Sequence, residues 1–291
     1  MRESLGDRIF GILNTIFMVF ICAVMLYPIL FVVGRSLMSD MERAARPFAL
    51  VPREFTAGAY QFIFMKGSYL VNAYLVTIAR TVTGAFASLA MTSLCAYVLS
   101  RKEYPLRNFF TLLIVFTMWF NGGLIPNFLL IQALGLSNNF WVYILPNLIS
   151  AWNMIIMRNF FSSIPETLFE SARIDGANDL TIYARIVMPL SGATLATIGL
   201  FYAVWQWNAW FDSLMYCSSR SLWTMQLFLR EIIRNVQFAD LLDPSASVSY
   251  IPPAESVQMA TIVVATVPIL CLYPFLQKYF VKGVMVGSLK G

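Results

Sequence analysis

The side chains best suited to ionic chemistry are concentrated in one stretch near the middle of the chain, residues 165–189. It holds Glu170, Arg173, Asp175, Asp179 and Arg185. By contrast, residues 108–157 carry no charge. A polar stretch between two apolar ones lies at a membrane surface, because charged groups are costly in hydrocarbon. The chemistry that it can perform there is the binding of a soluble partner.

This stretch is predicted to form two short helices joined by a bend. The first helix is expected to follow Pro165 and to run from Glu166 to Ile174. Asp175-Gly176 interrupts it, because glycine tolerates a left-handed turn. Asn178-Asp179 can cap a second helix, which is expected to end before Pro189. The apolar side chains either dock on a soluble subunit or pack on the protein's own helix ends; they are Leu168, Phe169, Ile174, Leu180, Ile182 and Ile186.

The sequence lacks the residues that metal sites and self-powered pumps use. It contains no histidine, and its four cysteines show no C-x-x-C spacing, so neither a metal site nor a disulfide framework is predicted. No G-x-x-x-x-G-K-[ST] phosphate loop occurs, so any uphill work needs energy from a partner or an ion gradient. Carboxylates are almost absent from the apolar runs, which argues against proton coupling, although backbone carbonyls could still hold a sodium ion.

Composition indicates an integral membrane protein. Hydrophobic residues make up 59% of the chain and charged residues 12%, whereas a soluble protein has about 25% charged residues. The net charge of +5 is interpreted as loop charge facing an anionic leaflet rather than as a nucleic-acid site. We predict a single all-α transmembrane domain, residues 1–291, with six spanning helices near residues 9–33, 70–99, 109–133, 140–158, 190–216 and 256–277.

Short connecting loops predict the orientation of these spans. The connection 100–108 carries three basic residues and the turn 134–139 carries none. The first is therefore expected on the cytoplasmic side, together with both termini and the 165–189 stretch. The polar loop 34–66 fits this assignment poorly, because it places five basic residues outside: Arg35, Arg43, Arg46, Arg53 and Lys66.

The 165–189 stretch also resembles a known signature. Glu170-Ser171-Ala172, Gly176, Ile186 and Pro189 have the spacing of the E-A-A-x3-G-x9-I-x-L-P motif of permeases in binding-protein-dependent ABC importers, with Ser171 in place of the first alanine and Met188 in place of the leucine. The resemblance to MalG-like carbohydrate permeases extends along nearly the whole chain, through Ala96–Arg101, Gly122–Pro126, Arg158–Phe161, Trp207–Asp212, Leu227–Glu231 and Tyr273–Phe280. The nearest group serves the import of oligosaccharides and polysaccharide fragments.

This resemblance implies a type I ABC importer permease fold and a transport subunit without a catalytic site of its own. It implies a location in the bacterial cell membrane. It also implies four partner subunits: a homologous second permease, two ATP-binding subunits that hold the ATP and Mg²⁺, and an extracellular sugar-binding protein. The 165–189 stretch would be the coupling segment, with Glu170 facing a basic group of an ATP-binding subunit and Gly176 forming the bend. The implied coupling residues are Glu170, Ser171, Ala172, Asp175, Gly176, Ala177, Ile186 and Pro189.

A second cluster, Trp205–Asp212, suits contact with a sugar, because aromatic rings stack on C–H faces while amide and carboxylate groups bind hydroxyls. On a continuous helix Trp205, Asn208 and Asp212 share one face. The other face would carry Trp207, Trp210 and Phe211, so at most one of the two groups could line a pathway. Tryptophans near a span end are also typical of an interfacial belt. In some MalG-like systems, moreover, only the other permease holds the sugar.

Three further features carry open alternatives. Arg80 lies inside the second predicted span. Its side chain is expected either to pair with Asp212, to extend to the membrane surface or to contact sugar. Gly122, Gly123 and Pro126 are candidates for a gate or kink in the third span, with close helix packing as the alternative. An amphipathic stretch, 221–236, suits the sugar-binding protein or the membrane surface. Two rival functions are a gradient-driven carrier that works alone and a membrane assembly subunit.

Overall fold

The computed structural model describes residues 5–65, 69–234 and 255–271, and the regular elements within these ranges are all helical. Met38 and Phe55 add an isolated antiparallel bridge. The chain divides into two compact units, one within residues 1–71 and 229–267 and the other within residues 72–228 and 268–291.

The α-helices are α1 (Leu5–Ser36), α2 (Asp40–Ala45), α3 (Gly58–Ile63), α4 (Tyr69–Ser100), α5 (Arg107–Trp119), α6 (Leu124–Ala133), α7 (Ala151–Phe161), α8 (Glu166–Ile174), α9 (Asp179–Ile182), α10 (Met188–Leu190), α11 (Gly192–Asn208), α12 (Phe211–Tyr216), α13 (Met225–Arg234) and α14 (Glu255–Cys271). Short 3-10 helices are Phe140–Tyr143, Leu145–Asn147 and Arg220–Leu222, and a π-helical turn covers Tyr183–Val187.

Bends interrupt three of the six apolar runs that were predicted as spans. Among the described residues, α1 and α4 are long and apolar enough to cross a membrane, and the number rises to five if each bent pair counts as one span. The pairs are α5 with α6, bent by 117°, residues 140–147 with α7, bent by 51°, and Asp179–Leu190 with α11, bent by 85°. The last predicted span begins with α14, while residues 272–277 lie outside the described ranges.

The described part of the polar loop, residues 34–65, is folded rather than irregular, because polar side chains hold its turns. The Glu42 carboxylate accepts the backbone N–H groups of Arg53 and Glu54, at 2.8 and 3.2 Å. Ser39 caps α2 by accepting the Glu42 N–H at 3.3 Å. Tyr60 of α3 is hydrogen-bonded to Ser36 at 2.7 Å. These contacts fix α2 and α3 beside the end of α1.

Ion pairs hold several basic residues of this loop to carboxylates within the first unit. Arg35 pairs with Glu255 of α14 and also donates to the Pro47 carbonyl at 2.8 Å. Among the described residues of this loop, three arginines are matched with a carboxylate, in the pairs Arg35–Glu255, Arg43–Asp40 and Arg46–Glu42. The positive charges of these three arginines are therefore neutralised within the unit.

Gly34, near the end of α1, is expected to tolerate no side chain. A Cβ there would lie 1.9 Å from the carbonyl oxygen of Leu50, and a backbone oxygen cannot move aside as a flexible side chain can. Overpacking of this kind costs about 3 kcal/mol. We therefore expect Gly34→Ala to lower the yield of folded protein and its apparent melting temperature in detergent. In the matched control Gly11→Ala, also in α1, the Cβ meets nothing within 4 Å, and unchanged or slightly higher stability is expected. Equal melting temperatures for both variants would contradict this prediction.

Among the residues that the structure describes, the second unit contains two buried apolar clusters. The larger joins the C-terminal half of α4 to α7, the 165–189 stretch and α11, through residues such as Tyr97, Met157, Ile182 and Ile198. The smaller lies around Tyr143 and Cys217 and includes Ile131 of α6. These clusters position the two regions that the sequence singles out.

Candidate functional site

The charged stretch 165–189, the bent segment, turns sharply at Gly176, as the sequence predicts. Helix α8 has the expected bounds, Glu166–Ile174. Gly176 has a φ of +81°, which glycine adopts without steric cost. The turn closes when the Ala177 N–H donates to the Ala172 carbonyl at 2.9 Å. This is the hydrogen bond that commonly ends a helix at a left-handed residue.

The second half of the bent segment does not end before Pro189, contrary to the prediction. Asn178 caps it by accepting the Thr181 N–H at 2.8 Å, and helical structure then continues to Leu190 through the π-helical turn Tyr183–Val187. A proline inside an α-helix lacks an N–H donor and clashes with the carbonyl four residues earlier. The wider turn shifts the hydrogen bonds just ahead of Pro189, so the helix tolerates this proline.

The bent segment has one packed face and one exposed face. Phe169 and Ile182 are buried, in a cluster that also contains Ala96, Tyr97, Leu99, Met154, Met157, Phe161, Ala172, Val187, Ile198 and Tyr202. Ile174 is 87% exposed and Leu180 is 68% exposed. Both sequence alternatives therefore apply, each to different residues: some pack on the protein's own helices, and others stay accessible to a partner.

The other proposed coupling residues lie on both faces of this segment. Glu170 is exposed on α8, and Ala172 on the opposite side is buried. The Ser171 hydroxyl donates to the Thr167 carbonyl, so serine in place of alanine is satisfied within its own helix. Of the remaining four residues, Asp175 ends α8, Ala177 and Ile186 are partly buried, and Pro189 is exposed.

The cluster Trp205–Asp212 is divided between two helices, contrary to the prediction of one continuous helix. Helix α11 ends at Asn208 and α12 begins at Phe211. Between them Ala209 is extended, with φ −71° and ψ 132°. The break contains neither glycine nor proline, so no local signal marks it. The division of these residues between two helix faces was therefore wrong.

An aromatic cavity of about 900 Å³ opens at this break. Its lining includes members of both predicted faces, together with α4 and the turn before α7: Thr81, Asn147, Phe201, Trp205, Trp207, Asn208, Trp210, Phe211, Asp212 and Tyr216. Trp205 is 45% exposed, whereas Trp207 is 6% exposed and meets Tyr74 edge to face. The cavity thus combines aromatic faces with amide and carboxylate groups, which suits a hydroxylated ligand.

Arg80 pairs with Asp212 and does not extend to the surface, because its side chain is fully buried. Its guanidinium donates to both carboxylate oxygens of Asp212, at 3.1 and 2.7 Å. It also donates twice to the Gln206 side-chain carbonyl, at 3.0 and 2.9 Å, and lies 4.3 Å from the centre of the Tyr143 ring. Asp212, with 13% of its side chain exposed, lines the cavity while Arg80 neutralises it from behind.

Gln206 is the functional candidate that sequence reasoning missed. It is fully buried and reaches Arg80 across α4 at Gly84, where a Cβ would lie 2.5 Å from its amide nitrogen. A guanidinium has five N–H donors, more than one carboxylate can satisfy. A buried arginine therefore predicts a second acceptor, and the glycine one turn after Arg80 marks where that acceptor can pass.

Gly122 and Gly123 form a sharp kink between α5 and α6. Gly123 has a φ of +88°, and its N–H donates to the Asn121 side chain at 3.0 Å. Pro126 lies in the first turn of α6, where a missing N–H costs no helical hydrogen bond. A second cavity of about 770 Å³ borders the kink and shares Asn147, Asp212 and Tyr216 with the aromatic cavity.

Several known proteins are similar to this chain over nearly its whole length. It is 40% identical to the polygalacturonan/rhamnogalacturonan transport system permease protein YtcP of Bacillus subtilis, over 98% of this chain and 99% of that one. It is 37% identical to the protein LplC of the same organism, over 100% and 98%. A crystal structure of a bacterial ABC transporter involved in the import of the acidic polysaccharide alginate matches with a TM-score of 0.87 and 34% identity, over 96% of this chain and 99% of that one. No protein-family model matches. The chain therefore belongs to the family of carbohydrate ABC importer permeases, which are helical membrane proteins that act as transport subunits.

Proposed function

We propose that this permease takes up an oligosaccharide by coupling the bent segment to an ATP-binding subunit. The observation that carries the proposal is the division of the bent segment into a packed face and an exposed face. The packed face is joined to α4, α7 and α11, so a force on the exposed face reaches all three helices. The exposed face offers Glu170 as a charge, with Ile174 and Leu180 as apolar contacts.

The exposed face has the chemistry of a protein interface rather than of a lipid contact. Its apolar side chains stand beside charged ones, which is typical of an interface with an apolar centre and a polar rim. The Gly176 bend leaves open space where a Cβ would be, so a partner can approach the backbone closely. Because the chain has no phosphate loop, ATP and Mg²⁺ would bind to the partner and not to this subunit.

The aromatic cavity is the proposed contact with the sugar, and it would form half of the translocation pathway. Trp205 and Trp210 provide stacking surfaces, while Asn208 and Asp212 provide hydroxyl partners. Arg80 would position Asp212 rather than touch sugar, because it is fully buried. The similarity to YtcP and to the alginate transporter supports an oligosaccharide or polysaccharide fragment as cargo. The kink at Gly122-Gly123 would serve as a gate, since interrupted backbone inside a membrane requires cover from protein or water.

The remaining partners follow from this assignment. A homologous permease would complete the pathway, a second ATP-binding subunit would serve it, and an extracellular sugar-binding protein would deliver the cargo. The domain would cross the bacterial cell membrane six times, with both termini and the bent segment in the cytoplasm.

Reversing the charge at Glu170 is expected to release the ATP-binding subunits. A like charge against a basic partner group costs several kcal/mol, so Glu170→Lys should weaken co-purification of the ATPase by about 30-fold or more. The measurement is the amount of ATPase retained with tagged permease after washing. The control is Glu54→Lys, which makes the same charge change at an exposed glutamate outside the segment. Equal retention in the two variants would refute the docking role of Glu170.

The source of energy separates this proposal from a gradient-driven carrier. In proteoliposomes that contain the whole complex, uptake of labelled galacturonate oligosaccharides and arabino-oligosaccharides is compared with and without internal ATP. Uptake that requires ATP and survives an ionophore supports the ABC mechanism. Uptake without ATP that follows an ion gradient would exclude it.

A further inference from the structure

Two arginines tie the bent segment to the loop that follows α4. Arg101 of that loop pairs with Glu166 at 2.7 Å, and its guanidinium carbon lies 3.9 Å from the centre of the Phe169 ring. Arg173, near the other end of α8, binds Glu103 of the loop through both terminal nitrogens, at 2.5 and 2.6 Å. Helix α8 is therefore attached to the end of α4 at two separate points.

The Glu103–Arg173 pair fixes an orientation rather than adding much stability. Two parallel hydrogen bonds between a carboxylate and a guanidinium constrain an angle as well as a distance. The hydrogen bonds from Arg173 hold the pKa of Glu103 at about 2, so this carboxylate is ionised at any physiological pH. The two side chains are 54% and 38% exposed, and exposed ion pairs contribute about 0–1 kcal/mol to folding.

Helix α4 connects this pair to the aromatic cavity. It continues without a break from Arg80 to Ser100, a length of about 30 Å at 1.5 Å per residue. One end is held by the Arg101 and Glu103 contacts. Towards the other end, Arg80 binds Asp212 at the break between α11 and α12, and Thr81 lines the cavity. An unbroken helix with charged attachments at Arg80 and just beyond Ser100 can carry a displacement from one to the other.

We propose that Glu103 and Arg173 are positioning residues that transmit movement of the bent segment to α4 and thereby to the cavity. This inference rests on the proposed function, in which an ATP-binding subunit moves the bent segment. The apolar cluster beneath α8 holds the segment in place, but hydrophobic contact is non-directional. The bidentate pair adds the direction: when α8 tilts, the loop and α4 move with it. Glu170 and Gly176 would bind the ATPase, while Glu103 and Arg173 would pass the movement on.

The test reads the cavity end of α4 directly and needs no known cargo. A Thr81→Cys reporter is placed in the complete complex, and its labelling by a water-soluble maleimide is followed by peptide mass spectrometry. We expect the labelling rate with ATP plus orthovanadate to differ about fivefold or more from the rate without nucleotide. In Arg173→Ala and Glu103→Gln backgrounds most but not all of this difference should be lost, while the ATPase remains bound and the melting temperature is unchanged.

A double-mutant cycle completes the experiment. The double variant Glu103→Gln/Arg173→Ala should lose no more of the nucleotide response than either single variant, and Lys102→Ala in the same loop should retain the full response. The proposal would be overturned if the losses of nucleotide response multiplied in the double variant. It would also be overturned if both single variants kept the full nucleotide response, or if the parent complex showed none. Release of the ATPase by these substitutions would assign the pair to docking and also overturn it. Failure of the proposed function looks different, because the parent permease would then retain no ATPase.

Discussion

Replacing Arg80 with methionine is expected to destabilise the protein by about 3 kcal/mol or more, which is typical when one partner of a buried ion pair is removed. Asp212 would keep a carboxylate with 13% of its side chain exposed and no opposite charge against it. The Gln206 carbonyl would lose two N–H donors at the same time. The measurement is the apparent melting temperature in detergent, together with the yield of monodisperse protein.

The double variant Arg80→Met/Asp212→Leu separates the cost of an orphaned charge from a general need for the pair. Apolar residues of similar volume often replace a buried ion pair at little cost, so the double variant should regain most of the stability that Arg80→Met loses. Arg80→Lys keeps the charge but not the fork that reaches both Asp212 and Gln206, and an intermediate loss is expected. A melting temperature for Arg80→Met equal to that of the parent would show that the cluster is not held by this guanidinium.

The bend at Gly176 could be predicted from sequence because its causes are local. A proline before α8, a glycine at the left-handed position and an asparagine at the next cap each act within a few residues. The kink at Gly122-Gly123 belongs to the same class. At both bends a glycine stands at the position whose backbone φ is positive.

The break after Asn208 could not be predicted in this way, because it is imposed from a distance. Arg80 lies more than a hundred residues earlier in the chain, and it also donates to the Ala209 carbonyl at 3.5 Å and to Asp212. The local sequence is equally compatible with a continuous helix. The tolerance of Pro189 within a helix is similar, since it depends on a π-helical turn whose residues carry no special signal. Sequence alone left the Arg80–Asp212 pairing open for the same reason.

Substitutions at Gly176 are expected to reduce uptake strongly while leaving the fold intact. The φ of +81° costs an ordinary residue about 1–2 kcal/mol, which lowers the population of the bend by about 5- to 30-fold. Nothing lies within 4 Å of a Cβ at this position, so the cost in the isolated subunit is conformational and not steric. Gly176→Val should lose the most, because a β-branched residue is least tolerant of this conformation. Uptake by the reconstituted complex and retention of the ATPase are the two measurements.

Comparison of Gly176→Asn with Gly176→Ala identifies what the glycine provides. Asparagine is the larger side chain but adopts left-handed backbone more readily than alanine. If the bend itself is required, the asparagine variant should transport better than the alanine variant. If the glycine is required so that an ATP-binding subunit can approach the backbone, alanine should transport better, because it projects only a methyl group. Full transport by Gly176→Val would contradict both explanations, and with them the role of the bent segment in coupling.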